Sequence, residues 1–155
     1  MAYWLLKSEP DAYGIHDLER QKTSVWDGVR NYQARNFLRA MQMGDLAFFY
    51  HSSTALPGIA GLCRVIETQV VDPTQFDPQS DYYDPASSPN DPRWWTVRVE
   101  FVQAFAEVLG LEVLRQYFSP DELWTLRRGN RLSVMPVGEK VAGKILQLAR
   151  ATPAR

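Results

Sequence analysis

Four short segments set polar groups beside aromatic ones. They are Lys7-Ser8-Glu9-Pro10, the run from Trp26 to Asn36, Phe49-Tyr50-His51-Ser52, and the run from Arg131 to Val137. Each falls where a regular element should end, which is where binding groups collect. The chemistry such a set suits is recognition of a flat heterocycle. An aromatic face is worth roughly 1–3 kcal/mol to a stacked base, while flipping a base out of its strand costs a few kcal/mol. One stacking residue barely covers that cost, so the pocket also needs directional hydrogen bonds. Trp26 can stack. Ser8, Asn31, His51 and Ser133 can bond the edge of the base. Lys7, Arg35 and Arg39 can hold phosphate, helped by the positive N-terminal end of a helix after Asn31.

Each residue also has a plainer reading. Trp26 beside the turn at Asp27-Gly28 suits a core or lid residue. Asn31 is fully explained as a helix N-cap. His51 at a strand end suits a satisfied structural histidine, Ser8 to Pro10 a turn, and Lys7, Arg35 and Arg39 a solvated face. Pattern alone leaves these alternatives open.

Other chemistries lack their residues. Two histidines, His16 and His51, and the single cysteine, Cys63, have no metal-ligand spacing. No phosphate loop, dinucleotide fingerprint or nucleophile elbow occurs. His51 and Ser52 are adjacent, and neighbours in an extended segment point to opposite faces. The expectation is therefore a protein that is not an enzyme and needs no metal or cofactor. Two competing readings remain: a nucleoside-processing enzyme with His51 as base, and a methyl-lysine cage with acidic help from Glu9 and Asp27.

The chain has 155 residues, 45% hydrophobic and 23% charged, with a net charge of −1. That bounds it to one compact domain, expected over residues 1–150 with a tail at 151–155. It also excludes coating nucleic acid by charge alone. The charge is uneven: Asp72, Asp77, Asp81, Asp84 and Asp91 fall in a stretch, 72–92, with five prolines and no Lys or Arg. Without that stretch basic residues outnumber acidic ones. A lone cysteine fits a reducing compartment, and no apolar run is long enough for a membrane helix.

Elements must hold these segments in place. Residues 2–6 read as a buried strand, 15–21 as a short helix, and Asn31 caps a helix stopped by Gly44-Asp45. Residues 46–50 and 59–71 read as strands, the second with glycines that mark close backbone approach. Residues 73–92 form a loop. Trp95, Val97, Val99 and Phe101 alternate with polar residues as a half-buried strand, which turns Trp95 inward and Trp94 outward. Ser119 to Glu122 is a capping box that starts a short helix. Residues 131–137 are extended, and 138–149 form a closing helix. The order predicts an α+β domain with a curved sheet or partial barrel.

At these residues the chain resembles the EVE domain family. The matching stretches are Tyr3 to Pro10, Trp26 to Asn36, Gly44 to Ser52, Gly58 to Gly61, Asp91 to Trp95 and Arg131 to Val137, which together span nearly the whole chain in order. The resemblance implies a PUA-like fold, a curved and mostly antiparallel sheet with flanking helices, and kinship with YTH domains. It also implies a reader of modified bases, notably modified cytosine in DNA or a modified base in RNA. By that similarity Ser8, Trp26, Asn31, His51, Ser52, Ser133 and Pro136 line the pocket, Trp94 or Trp95 closes it, and Lys7, Arg35 and Arg39 lie near the backbone. Nuclear members of the family carry a basic N-terminal extension. This chain starts at the first strand, so the expectation is a bacterial-type, cytoplasmic protein.

Overall fold

The computed structural model describes residues 1–151. The expected tail at 151–155 lies outside them but for its first residue. The strands are β1 (Tyr3–Ser8), β2 (Thr23–Val25), β3 (Leu46–His51), β4 (Gly58–Val71), β5 (Trp95–Gly110) and β6 (Val134–Val137). The helices are α1 (Ile15–Gln21), α2 (Tyr32–Ala40), α3 (Leu111–Tyr117) and α4 (Glu139–Ala151). The strands form one open sheet in the order β2-β5-β4-β3-β1-β6. Every pairing is antiparallel except that of β1 with β3.

β1 and β3 are apolar without alternation because both faces of the sheet are covered. Leu5, Phe48 and Tyr50 pack on one side with Leu114 of α3 and Val141 and Ile145 of α4. Trp4, Leu6, Ala47 and Phe49 pack on the other with Ile15 and Leu18 of α1 and Ala34 and Leu38 of α2. The long β4–β5 pair coils, and its register shifts at four places. Gly61 serves that close approach: a Cβ there would lie 2.4 Å from the Gln103 carbonyl oxygen and 2.7 Å from the Ile15 side chain.

Because β1 and β3 are parallel, their carboxyl ends lie side by side, with Lys7 opposite Tyr50 and Ser8 opposite His51. The Ser52 amide extends the ladder to the Ser8 carbonyl at 2.9 Å. Two of the polar-aromatic segments therefore meet at one end of the sheet. The backbone amide of Lys7 donates to the Ser133 carbonyl at 2.8 Å, which brings in a third. The fourth follows β2, whose pairing with β5 continues through Trp26 N–H to the Val97 carbonyl at 2.9 Å.

Several elements depart from the sequence expectation. α2 ends at Ala40, before Gly44. β5 runs on to Gly110, and α3 follows it directly. Ser119 and Glu122 do exchange their capping bonds, at 2.9 and 3.3 Å, but the chain turns and forms only a 3₁₀ turn at Trp124–Leu126. The 72–92 stretch is an ordered structure around Gln75, which is fully buried. Its Nε2 donates to the carbonyls of Asp72 and Trp94 at 2.7 and 2.8 Å, and its Oε1 accepts from Ser87 Oγ and the Trp94 amide at 2.6 and 3.1 Å.

Candidate functional site

A cavity of about 790 Å³ opens at the shared end of β1 and β3. That size lies within the roughly 300–1,000 Å³ usual for small-ligand sites. Lys7, Ser8, Tyr13, Ser24, Ser52 and Ser133 line it on the sheet and α1 side, and Trp26 to Arg30 with Tyr82 on the other. Glu9, Ala12, Gln21, Val25 and Arg131 complete the lining.

Trp26 is a structural wall as well as a cavity residue. It is 7% exposed, meets Phe49 edge-on at 5.2 Å and Tyr13 at 6.4 Å, and belongs to the core cluster around Leu6 and Leu38. Its carbonyl accepts the Thr96 hydroxyl. Its indole N–H has no protein acceptor among the described residues. The next residues form a loop held by one buried carboxylate. Asp72 accepts from the Gly28 amide at 2.8 Å, from Arg30 at 3.1 Å and from the Thr74 amide and hydroxyl at 2.8 and 2.6 Å. Arg30 also donates to the Tyr82 carbonyl at 2.7 and 3.0 Å. This clamp lays the Tyr82 ring over Gly28, whose φ of +84° and missing side chain leave room for it.

The polar groups differ in availability. The Ser8 hydroxyl is committed to the Tyr13 carbonyl at 2.6 Å, and Tyr13 itself donates to Gln21 at 2.7 Å. The hydroxyls of Ser52 and Ser133 have no partner among the described residues. Loss of solvation lowers the affinity of the Lys7 amine for its proton, and the amine sits 5.5 Å from the Tyr50 ring centre. At the rim, loss of solvation and then the Asp72 carboxylate raise the Asp27 carboxyl above its usual range, with Arg30 opposing them.

Of the residues picked from sequence, Lys7, Ser8, Trp26, Ser52 and Ser133 share this cavity. The others do not line it, and each has a physical reason. Asn31 caps α2, its Oδ1 accepting the Ala34 amide at 2.9 Å. His51 Nε2 accepts the Ile15 amide at the start of α1, at 3.1 Å. Pro136 sits in edge strand β6 opposite Trp4. Trp94 is buried at 6% and Trp95 is half-buried, the reverse of the alternation expected. Trp94 stacks on Tyr32 at 4.8 Å and donates to Asp84 at 2.7 Å. Arg35 lies over the Tyr32 ring at 4.8 Å and donates to the Arg93 carbonyl at 2.9 Å. Arg39 lies over Trp95 at 5.0 Å. Tyr13, Ser24 and Tyr82 were missed, and Tyr82 comes from the stretch read as an acidic loop.

Among the described residues no group of His, Cys, Asp and Glu could hold a metal ion, and no helix is long and apolar enough to cross a membrane.

Residues 2–148 match the family model described as the EVE domain. Thymocyte nuclear protein 1 of Mus musculus is 42% identical over 169 residues, covering 97% of this chain and 75% of that protein. A crystal structure of a Pseudomonas syringae protein superposes with a TM-score of 0.92 at 49% identity, over 96% of this chain and 99% of that one. The human THYN1 protein, crystallised in complex with DNA containing 5-methylcytosine, superposes at 0.91 with 38% identity, over 99% and 100% of the two chains. The Mmi1 YTH domain shares the fold, with a TM-score of 0.56 at 9% identity. The open mixed sheet is thus the PUA-like arrangement expected. The cytoplasmic location expected from sequence is overturned by the relatives of mouse, rat and human, whose shared name, thymocyte nuclear protein 1, points to the nucleus for those proteins.

Proposed function

The chain belongs to the EVE domain family, and from that premise we propose that it is a non-catalytic reader of a modified nucleobase, with modified cytosine in DNA as its target. The observation that carries this reading is a cavity walled by Trp26 and Tyr82 and lined by the polar groups of Lys7, Asp27, Ser52 and Ser133. The complex of human THYN1 with DNA containing 5-methylcytosine supports the choice of base. So does Asp27, because a carboxylate accepts from the exocyclic amine of cytosine.

Two rival readings fit less well. With its Nε2 accepting the Ile15 amide, His51 is spent as a general base on that nitrogen, and it does not line the cavity. A methyl-lysine cage needs a cation-attracting interior, whereas Lys7, Arg30 and Arg131 line this one and outnumber its two carboxylates, Glu9 and Asp27.

Calorimetry against short DNA oligonucleotides carrying cytosine, 5-methylcytosine or 5-hydroxymethylcytosine tests the proposal, with matching RNA oligonucleotides to compare carriers. Truncating Trp26 to Ala would cost roughly 3–5 kcal/mol of stability from a packed site, so Trp26→Phe and Tyr82→Ala are the informative variants. Selective binding by the parent, weakened about 5- to 150-fold by Tyr82→Ala as expected for one stacking face, supports the reading. Equal affinity for all bases by a folded protein sinks it.

A further inference from the structure

A second cavity, of about 280 Å³, adjoins the segment that leads into the first. Trp124, Arg127, Arg128, Asn130 and Leu132 line it, with Gln33 of α2 opposite, and no carboxylate does. Three residues further along the chain from Arg128, Arg131 lines the base cavity, followed by Ser133. One short stretch is therefore shared between the two cavities.

The stretch is held rigidly. Asn130 Nδ2 donates to the Trp124 carbonyl at 2.7 Å, and its Oδ1 accepts the Leu132 amide at 3.0 Å. The Asn130 amide closes the turn on the Arg127 carbonyl at 3.2 Å. Arg127 lies over the Trp124 ring at 4.7 Å, which fixes a planar guanidinium at little cost in side-chain freedom. Arg127, Arg128 and Arg131 are exposed, and none forms an ion pair among the described residues. Arg127 also donates to the Pro120 carbonyl at 3.2 Å, and Arg35 and Arg39 donate to Arg93, Asn36 and Gln69 and lie over aromatic rings; the guanidiniums of Arg128 and Arg131 have no such engagement among the described residues.

We propose that Arg127–Arg131 is the phosphodiester track of this protein: a nucleic-acid strand with its base in the Trp26 cavity passes Arg131 and lays its phosphates on Arg128 and Arg127 along the second cavity. Exposed guanidiniums with no carboxylate in the cavity they line suit a polyanion, and their fork geometry matches phosphate oxygens. The track rests on the base-reader proposal for its register alone, and its test is separate.

The test is anisotropy of labelled single-stranded DNA, unmodified and carrying 5-methylcytosine, titrated at several salt concentrations. Arg127→Gln/Arg128→Gln is expected to bind both strands more weakly, on the order of 10- to 100-fold at low salt, and to flatten the slope of log affinity on log salt by about 1.4. The ratio between modified and unmodified strands stays that of the parent, because neither residue touches the base cavity. Arg35→Gln/Arg39→Gln is expected to change little. Unchanged affinity and slope in the first variant, or the larger loss in the second, overturns the track, as does a parent protein that binds neither strand at low salt. A parent that binds both strands equally sinks the base reader, while the two arginine variants still decide the track.

Discussion

The ring of Tyr82 rests on the backbone of Gly28, so closely that a Cβ at position 28 would meet it at 2.7 Å. The acidic stretch thereby becomes a wall of the cavity. Gly28→Ala is expected to act twice. A side chain at φ +84° costs roughly 1–2 kcal/mol, and the ring must swing away from the cavity. Denaturant unfolding reads the first effect and oligonucleotide affinity the second. In Gly28→Ala/Tyr82→Ala the clash disappears but the backbone strain stays. A double variant as stable as the parent would show that strain at Gly28 is absent.

Asp72→Asn is expected to cost about 2–3 kcal/mol. Its carboxylate is buried and holds four groups, and its loss leaves Arg30 without a counter-charge. Breaking a buried pair costs 3–5 kcal/mol when the survivor has no relief. Here Arg30 keeps the Tyr82 carbonyl and Thr74, which moderates the loss. A fall in unfolding midpoint without change in slope is the expected signature. An unchanged midpoint would remove Asp72 from its place as organiser of the Trp26–Arg30 loop.

What the sequence made legible was local. Lys7-Ser8, Trp26, Ser52 and Ser133 were readable because each ends a strand or lies directly beside one. Tyr82 was not, since Arg30 and Tyr82 meet across 52 residues and nothing near Tyr82 marks it. α3 had no start signal to read: its N-cap is Gly110, with no capping side chain. At Ser119 the opposite occurs, for the capping bonds form but the chain is already extended at Leu123, before the 3₁₀ turn. The order of Trp94 and Trp95 was misread because alternation along β5 was extended back to its first residue. There, contacts from Asp84 in the loop and Tyr32 at the start of α2 decide which ring is buried.

Asn31 separates a cap from a base contact. Asn31→Ala is expected to cost about 1 kcal/mol of stability, as loss of an N-cap does, and to leave base selectivity unchanged, since Asn31 lies off the cavity. Unfolding and calorimetry on one preparation check both. A selective loss of modified-base affinity at full stability would return Asn31 to the recognition edge.

His51 should give the fold a mild dependence on pH. Loss of solvation, reinforced by the nearby His16, holds its folded-state pKa below the ordinary 6.5, and Nε2 can accept the Ile15 amide only while unprotonated. The unfolded chain takes up the proton first as pH falls. Stability is therefore complete above about pH 6.5 and declines below it, until the folded histidine also titrates. Asp27, shifted upward, acts in the opposite sense at lower pH. The informative range spans the ordinary histidine value, from about pH 7.5 to 5.5. Unfolding midpoints across it should fall for the parent. They should fall less for His51→Gln, whose amide oxygen can still accept from Ile15 but cannot titrate. Equal slopes for the two proteins would mean that the start of α1 does not depend on a neutral imidazole.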